Sequence, residues 1–273
     1  MDERIIAIYC LCDDCLKALH HRDDVQRRMS DAEVMTTAIV AALFFRGNFE
    51  SGRKYLKENH FIPNMLGKSR FNRRLHRTRD FFLTLFAILG ETWKELNAES
   101  IYSVDSFPIT VCDNYRIRRC KLYRNEAFRG YIPSKKRYFY GLKIHLLVTA
   151  HGEPVEVFLT PGSFSDVACL PGFQMDLPPG STVYADRGYN DAVFEETVHT
   201  HAGIEFQPMR RDNMKKQFPP WIRYLQHVFR KRVETTGSLI ERLLPKSIHA
   251  VTALGFELKA VLFVLATSIS FLR

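Results

Sequence analysis

Near residue 100 the hydrophobic pattern of this chain changes period, and that change restricts the folds open to it more than any other feature. Before it, apolar residues recur at helical spacing. Ser30-Asp31-Ala32-Glu33 forms a capping box ahead of Val34, Met35, Ala38, Ile39, Ala42 and Leu43, and Gly47-Asn48 stops that helix. Further helices are expected over Glu50 to Glu58, from near Ser69 (Phe71, Leu75), and over Phe81–Leu96. Beyond residue 100 the runs are short, apolar or alternating. Ile101–Asp105 comes first. Arg137–Thr149 and Pro154–Thr160 follow, joined by the hairpin signal Ala150-His151-Gly152-Glu153, and then Thr182–Ala185 and Gly203–Pro208. Helices are expected from Ser165-Asp166 through Leu170, from Asn190-Asp191 to about His201, over Ile222–Leu244, and at a buried C-terminal stretch Ala260–Leu272. This order predicts an α/β protein: a mixed sheet flanked by helices, preceded by an all-helical N-terminal region. The division falls as residues 1–97 and 98–273, with a polar, irregular insertion at about 106–136.

Charge is as unevenly distributed as periodicity. The 273 residues carry a formal net charge of +9. Residues 115–143 include Arg116, Arg118, Arg119, Lys121, Arg124, Arg129, Lys135, Lys136, Arg137 and Lys143 against Glu126 alone. Residues 209–232 include Arg210, Arg211, Lys215, Lys216, Arg223, Arg230, Lys231 and Arg232 against Asp212 alone, and residues 68–79 hold Lys68, Arg70, Arg73, Arg74, Arg77 and Arg79 with no acid. Three basic segments therefore sit in an otherwise acidic chain. The first two also carry aromatics, among them Tyr115, Tyr131, Tyr138, Trp221 and Tyr224. Cations that neutralise phosphates beside rings that stack on bases form a nucleic-acid footprint. The 68–79 segment lies on an expected helix, which suits a helix-turn-helix type of DNA contact.

Acids occupy particular places. Asp105 and Asp186 each close an apolar strand, where α/β sheets gather ligands. A carboxylate there is desolvated at a cost unless it meets a cation or another partner, and Arg187 beside Asp186 is the simple partner. On the long helix, Arg230, Glu234 and Glu241 lie close to one face. Gly237 within that helix either admits a close neighbour or breaks it. Carboxylates flanked by Arg230, Lys231 and Arg232 suit metal-assisted phosphate chemistry, in which two Mg²⁺ ions serve the attacking and leaving oxygens and need only hard oxygen ligands.

The segments Val104-Asp105-Ser106, Tyr140-Gly141-Leu142-Lys143-Ile144-His145, Pro161-Gly162-Ser163-Phe164-Ser165-Asp166, Tyr184-Ala185-Asp186-Arg187-Gly188-Tyr189 and Arg230-Lys231-Arg232-Val233-Glu234-Thr235 resemble insertion-sequence transposases of the Asp-Asp-Glu (DDE) type. The resemblance runs over about residues 100–270 and implies a ribonuclease-H-like catalytic core. It implies Asp105, Asp186 and Glu234 as the catalytic, metal-binding triad, with two Mg²⁺ ions and Mn²⁺ as a substitute. Related branches carry a Tyr three residues before the Arg and a Lys seven after the Glu, where this chain has His227 and Glu241. Glu241 thus stays open as an alternative third acid, and Lys246 is a candidate for the missing Lys. Glu234 is preferred because an Arg stands four residues before it, whereas Gly237 precedes Glu241. Asp166 reads as a helix cap rather than a ligand. DNA contacts are expected from Arg70, Arg73, Arg74, Arg116, Arg118, Arg119, Lys135, Lys136, Arg137, Arg230, Lys231 and Arg232. The implied partners are the element's terminal inverted repeats and target DNA, gripped by a homodimer. The implied reaction is hydrolysis at the element ends followed by strand transfer. A nuclease of the same fold without strand transfer, and a catalytically silent DNA-binding descendant, are the alternatives.

Other chemistries are disfavoured. Cys10, Cys12 and Cys15 lie near His20 and His21 but lack a proper second ligand pair for zinc, so they read as core thiols. Six cysteines in a chain of this length suit a reducing compartment. His145 and His249 sit in apolar surroundings and read as core histidines. No glycine-rich phosphate loop points to a nucleotide cofactor. The N-terminus lacks the pattern of a signal peptide, and Ala260–Leu272 is short for a membrane span. A cytoplasmic protein, nucleoid-associated when on DNA, is expected.

Overall fold

The computed structural model describes residues 1–272 apart from Lys216, so that member of the 209–232 basic segment lies outside the described residues. The chain forms two compact units. One comprises Met1–Leu89 together with the residues from Ile240 onward; the other is Gly90–Leu239.

The first unit holds helices α1 (Asp2–Ala18), α2 (Asp31–Phe45), α3 (Phe49–Glu58), α4 (Lys68–Arg77) and the start of α5 (Arg79–Leu96). The expected capping box is present: Ser30 Oγ accepts from the Glu33 N–H at 3.1 Å, and Glu33 Oε2 accepts from the Ser30 N–H at 2.6 Å. Helix α2 ends where Arg46 and Gly47 take positive φ, at 49° and 72°. Cys12 and Cys15 are buried core thiols, while Cys10 is exposed.

In the second unit, β1 (Ile101–Cys112), β2 (Arg129–Ile132), β3 (Arg137–Thr149), β4 (Pro154–Pro161), the short α6 (Asp166–Cys169), β5 (Thr182–Ala185), α7 (Ala192–Ala202), β6 (Glu205–Pro208) and α8 (Pro220–Leu243) follow in order. The strands form one sheet in the order β2-β3-β1-β5-β6, with β4 also on β3. β1 is antiparallel to β3 and parallel to β5, β3 is antiparallel to β2 and β4, and β5 is parallel to β6. This is the ribonuclease-H-like mixed sheet that the resemblance implies.

Two boundaries differ from the sequence reading. β1 does not stop at Asp105 but runs seven residues further, because the 13-residue β3 supplies partners along it from Thr149 to Tyr140. The irregular insertion accordingly starts after Cys112, and contains three 3-10 turns and β2. β2 and β4 share the outer edge of β3 and meet at glycines. A Cβ at Gly141 would fall 2.1 Å from the Ile109 carbonyl oxygen, and one at Gly130 would fall 2.3 Å from that of Gly162.

The last helix, α9 (Ala253–Ser270), returns to the helical unit and packs against α2, although the sequence division grouped it with the sheet. The reason is that α2 and α9 are apolar around most of their circumference, so each needs cover on several sides. α9 has the length and apolarity of a membrane span, yet 67% of it is buried inside the protein. His145 is fully buried as expected, but His249 is exposed, on the loop ahead of α9 where its carbonyl accepts from Lys259.

Candidate active site

Strand pairing brings the two aspartates together. The parallel β1–β5 ladder runs from Ile101↔Thr182 to Val104↔Ala185, and the next residue on each chain is an aspartate. Asp105 therefore lies at the end of that ladder but inside β1, opposite Leu146 on β3. Its Oδ1 accepts from the Ser106 N–H at 2.8 Å. After Asp186 the chain enters a 3-10 turn, and Asp186 Oδ1 caps it by accepting from the Arg187 N–H at 2.7 Å.

Helix α8 delivers the third acid. It is fixed on the sheet by three contacts: Phe229 stacks on Tyr184 at 5.6 Å, Gln226 Nε2 donates to the Gln207 carbonyl at 3.1 Å, and Thr236 Oγ1 donates to the Gly152 carbonyl at 2.7 Å. So placed, Arg230 Nη1 lies 3.2 Å from Asp186 Oδ1 and Arg230 Nε lies 3.1 Å from Glu234 Oε1. The counter-charge of Asp186 thus comes from Arg230, with Arg187 giving its backbone N–H. Gly237 does not break the helix; a Cβ there would meet the Phe107 ring at an ordinary 3.5 Å. Glu241 is exposed and belongs to the helical unit.

Behind Asp105 lies a layer the sequence reading missed. Ser165 fills the cap of α6, which leaves the Asp166 carboxylate free to turn inward. Asp166 Oδ1 accepts from Ser106 Oγ at 2.8 Å and lies 3.2 Å from Lys143 Nζ. Gly188 packs so tightly here that a Cβ would fall 2.7 Å from Asp166 Oδ2. Tyr189 is fully buried beside this layer, its hydroxyl 3.3 Å from His145 Nδ1, and His145 Nε2 is 2.9 Å from Thr160 Oγ1. Burial holds His145 down to about 4 and raises the Tyr189 phenol well above its ordinary value. Burial also pushes the Asp105 carboxyl up to about 7; Asp186 and Asp166 push the same way, against the Ser106 N–H and Arg230.

A family model described as a transposase DDE domain matches residues 96–246. The chain belongs to that family. A piggyBac transposase synaptic complex with hairpin DNA, solved by cryo-EM, is similar at a TM-score of 0.43 and 10% sequence identity, over 99% of this chain and 66% of that one. No curated protein matches the chain. In this transposase domain the matched segment takes in Asp105, Asp186, Glu234 and Glu241, and stops before α9.

The donor set of the transposase fits a hard divalent cation. All the candidate ligands are carboxylate oxygens. Asp105 is pushed upward chiefly by burial and further by Asp186 and Asp166, a cost that a bound cation would offset. Arg230 stands between Asp186 and Glu234, so the three carboxylates are not gathered on one point; the tight group of possible ligands found among the described residues is His21, Asp23 and Asp31 in the helical unit. There, Asp31 is already bound by Arg27 at 2.8 Å and by Arg74.

Most of the expected DNA contacts are exposed: Arg70, Arg73, Arg116, Arg118, Arg119, Lys135, Lys136, Arg137, Lys231 and Arg232. Two are not free. The Arg74 side chain is 12% exposed and tied to buried Asp31, and Arg230 is tied to the site acids. The aromatic interleaving is partly solvent-facing. Tyr131 and Tyr138 pair at 4.9 Å on the β2–β3 hairpin, with the Arg129 guanidinium 5.6 Å from the Tyr138 ring.

Proposed function

We propose that this transposase cleaves the terminal inverted repeats of its element and transfers the freed strand into target DNA, with Asp105, Asp186 and Glu234 as the metal-binding acids. What carries the reading is the register of β1 and β5, which sets Asp105 and Asp186 side by side at the end of their ladder. Glu234 joins them through the Arg230 bridge to Asp186. When bound, two Mg²⁺ ions, or Mn²⁺ in their place, would activate the attacking oxygen and stabilise the leaving one. The chain's own part is to hold and orient. Ser106 pins Asp105 through its N–H, and its hydroxyl ties that strand to Asp166 and so to Lys143. Exposed Lys231 and Arg232, within one helical turn of Glu234, supply charge for the DNA backbone. A homodimer holding two element ends completes the reading.

The test is cleavage of a duplex carrying the element's ends in Mg²⁺. Asp105→Asn and Asp186→Asn should each abolish cleavage while leaving duplex binding intact. Full cleavage by either variant would overturn the triad. Loss in Glu234→Gln with retention in Glu241→Gln assigns the third acid to Glu234, and the reverse moves it. A strand-transfer assay on precleaved ends separates a transposase from a simple nuclease of the same fold.

A further inference from the structure

Helix α4 carries Arg70, Arg73, Arg74 and Arg77 on one face, at the i, i+3, i+4, i+7 spacing. That face does not stand free as a convex ridge. The loop between α1 and α2 rises beside it, and the two enclose a pocket of about 390 Å³ lined by Gln26, Arg27, Arg28, Leu66 and the four α4 arginines. The six guanidiniums fall into two sets. Arg27 and Arg74 are bound to Asp31, which is 4% exposed and whose N–H is held in turn by Asp23 at 3.1 Å. These two are neutralised and form the wall. Arg28, Arg70, Arg73 and Arg77 are exposed and have no acid within ion-pair distance among the described residues. Their like charges share one concavity, an arrangement that costs stability unless an anion fills it and that focuses positive potential inside the pocket.

We propose that this pocket is a clamp for the phosphate backbone of duplex DNA, and that α4 binds phosphates there instead of reading base edges. Shape carries the first half. A recognition helix must be convex to enter a major groove about 12 Å wide, whereas a concave wall of guanidiniums receives a protruding backbone ridge. Chemistry carries the second. Planar guanidinium forks match phosphate oxygens in pairs, and the pocket offers a peptide no apolar anchor beyond Leu66. The same pocket identifies Arg28, from a segment outside the three basic runs, as part of the interface. The clamp rests on the transposase reading only in naming DNA as its polyanion.

The test measures binding of the full chain to two labelled duplexes of unrelated sequence over a salt series. Arg28→Gln, Arg73→Gln and Arg77→Gln alter solvent-facing side chains without acid partners, and thermal melts check that each variant folds. Each should weaken binding to both duplexes by the same factor and reduce the slope of log K against log salt by about one. Arg73→Lys should keep the parent slope. Loss confined to one duplex would make α4 a base reader and overturn the clamp. Unchanged affinity and slope in all three glutamine variants would overturn it as well. So would a pyrophosphate-induced rise in melting temperature that an added duplex does not suppress, which would identify a small-anion site. Asp186→Asn, assayed alongside, should lose cleavage but keep the parent salt slope, so failure of the clamp and failure of the triad give different results.

Discussion

Asp105 has the least favourable surroundings in the proposed site, and its consequences can be measured one residue at a time. Its carboxyl is held up at about 7 by burial and by Asp186 and Asp166. A raised acid contributes stability below its unfolded value, and that contribution is lost as pH rises through the folded value. Asp105→Asn should therefore melt higher than the parent at pH 8 without metal, while the Mg²⁺-induced rise in melting temperature of the parent should shrink in the variant. No such rise in either protein would remove the metal from Asp105. His145 has the opposite sign. Burial holds it at about 4 against an ordinary 6.5, so the stability of the neutral ring is full above pH 6.5 and is lost as pH falls toward 4. The loss amounts to about 3 kcal/mol at most, with Asp166 opposing the shift and Lys143 adding to it. In denaturant titrations between pH 7 and 4.5, His145→Gln should flatten that decline. Gly188→Ala should push the Asp166 carboxylate off Ser106 and Lys143, since a Cβ drives into Asp166 Oδ2, and cleavage should fall with it at little cost in melting temperature. Asp105 and Asp186 were legible because a strand's period is two and each acid ends an apolar run. The Asp166–Ser106 bond and the Arg230–Asp186 bridge were not, because each joins residues at least 44 positions apart in sequence that meet only through the sheet.

At the level of elements, local signals served well where the answer was local. Ser30 and Glu33 marked the start of α2, and both capping bonds are present. Ser30→Ala should cost about 1 kcal/mol in chemical denaturation. Thr182–Ala185 was found with its true limits, since a buried four-residue strand bounded by turn residues reads the same in sequence and in structure. The local signal of β1 understates its length, because Ser106 and Pro108 interrupt the apolar run and residues 105–108 are only half-buried. It stays extended by virtue of its partner, and β3 lies outside any local window. Gly141→Ala should expose this dependence, because the added methyl meets the Ile109 carbonyl and breaks the ladder in the half of β1 beyond Pro108.

On the scale of the whole molecule, the sequence conveyed fold class and charge partition but not which segments share a core. The apolar composition of α9 says that it is buried, yet nothing in its own residues says that α2 is its partner, since two helices apolar all round offer no face to match. Truncation before Ala253 should expose α2 and appear as dye binding and loss of solubility, with the melting transition broadened. The basic segments behave similarly: composition locates the cationic runs, while the Asp31 cluster and the site acids decide which arginines are already paired.

The ladder between β1 and β5 also works like a vernier. Two four-residue runs are aligned so that their next marks, Asp105 and Asp186, coincide. One residue inserted into or deleted from either run would swing its aspartate to the opposite face of the sheet, however well the acid itself were preserved. The 3-10 turns between Cys112 and β2 carry no such count, whereas β2 is again held residue by residue to β3. Tolerance to insertion along this chain should therefore fall sharply at Ile101 and Thr182 and recover beyond Cys112, a profile that a scan of single-residue insertions scored for cleavage would draw directly.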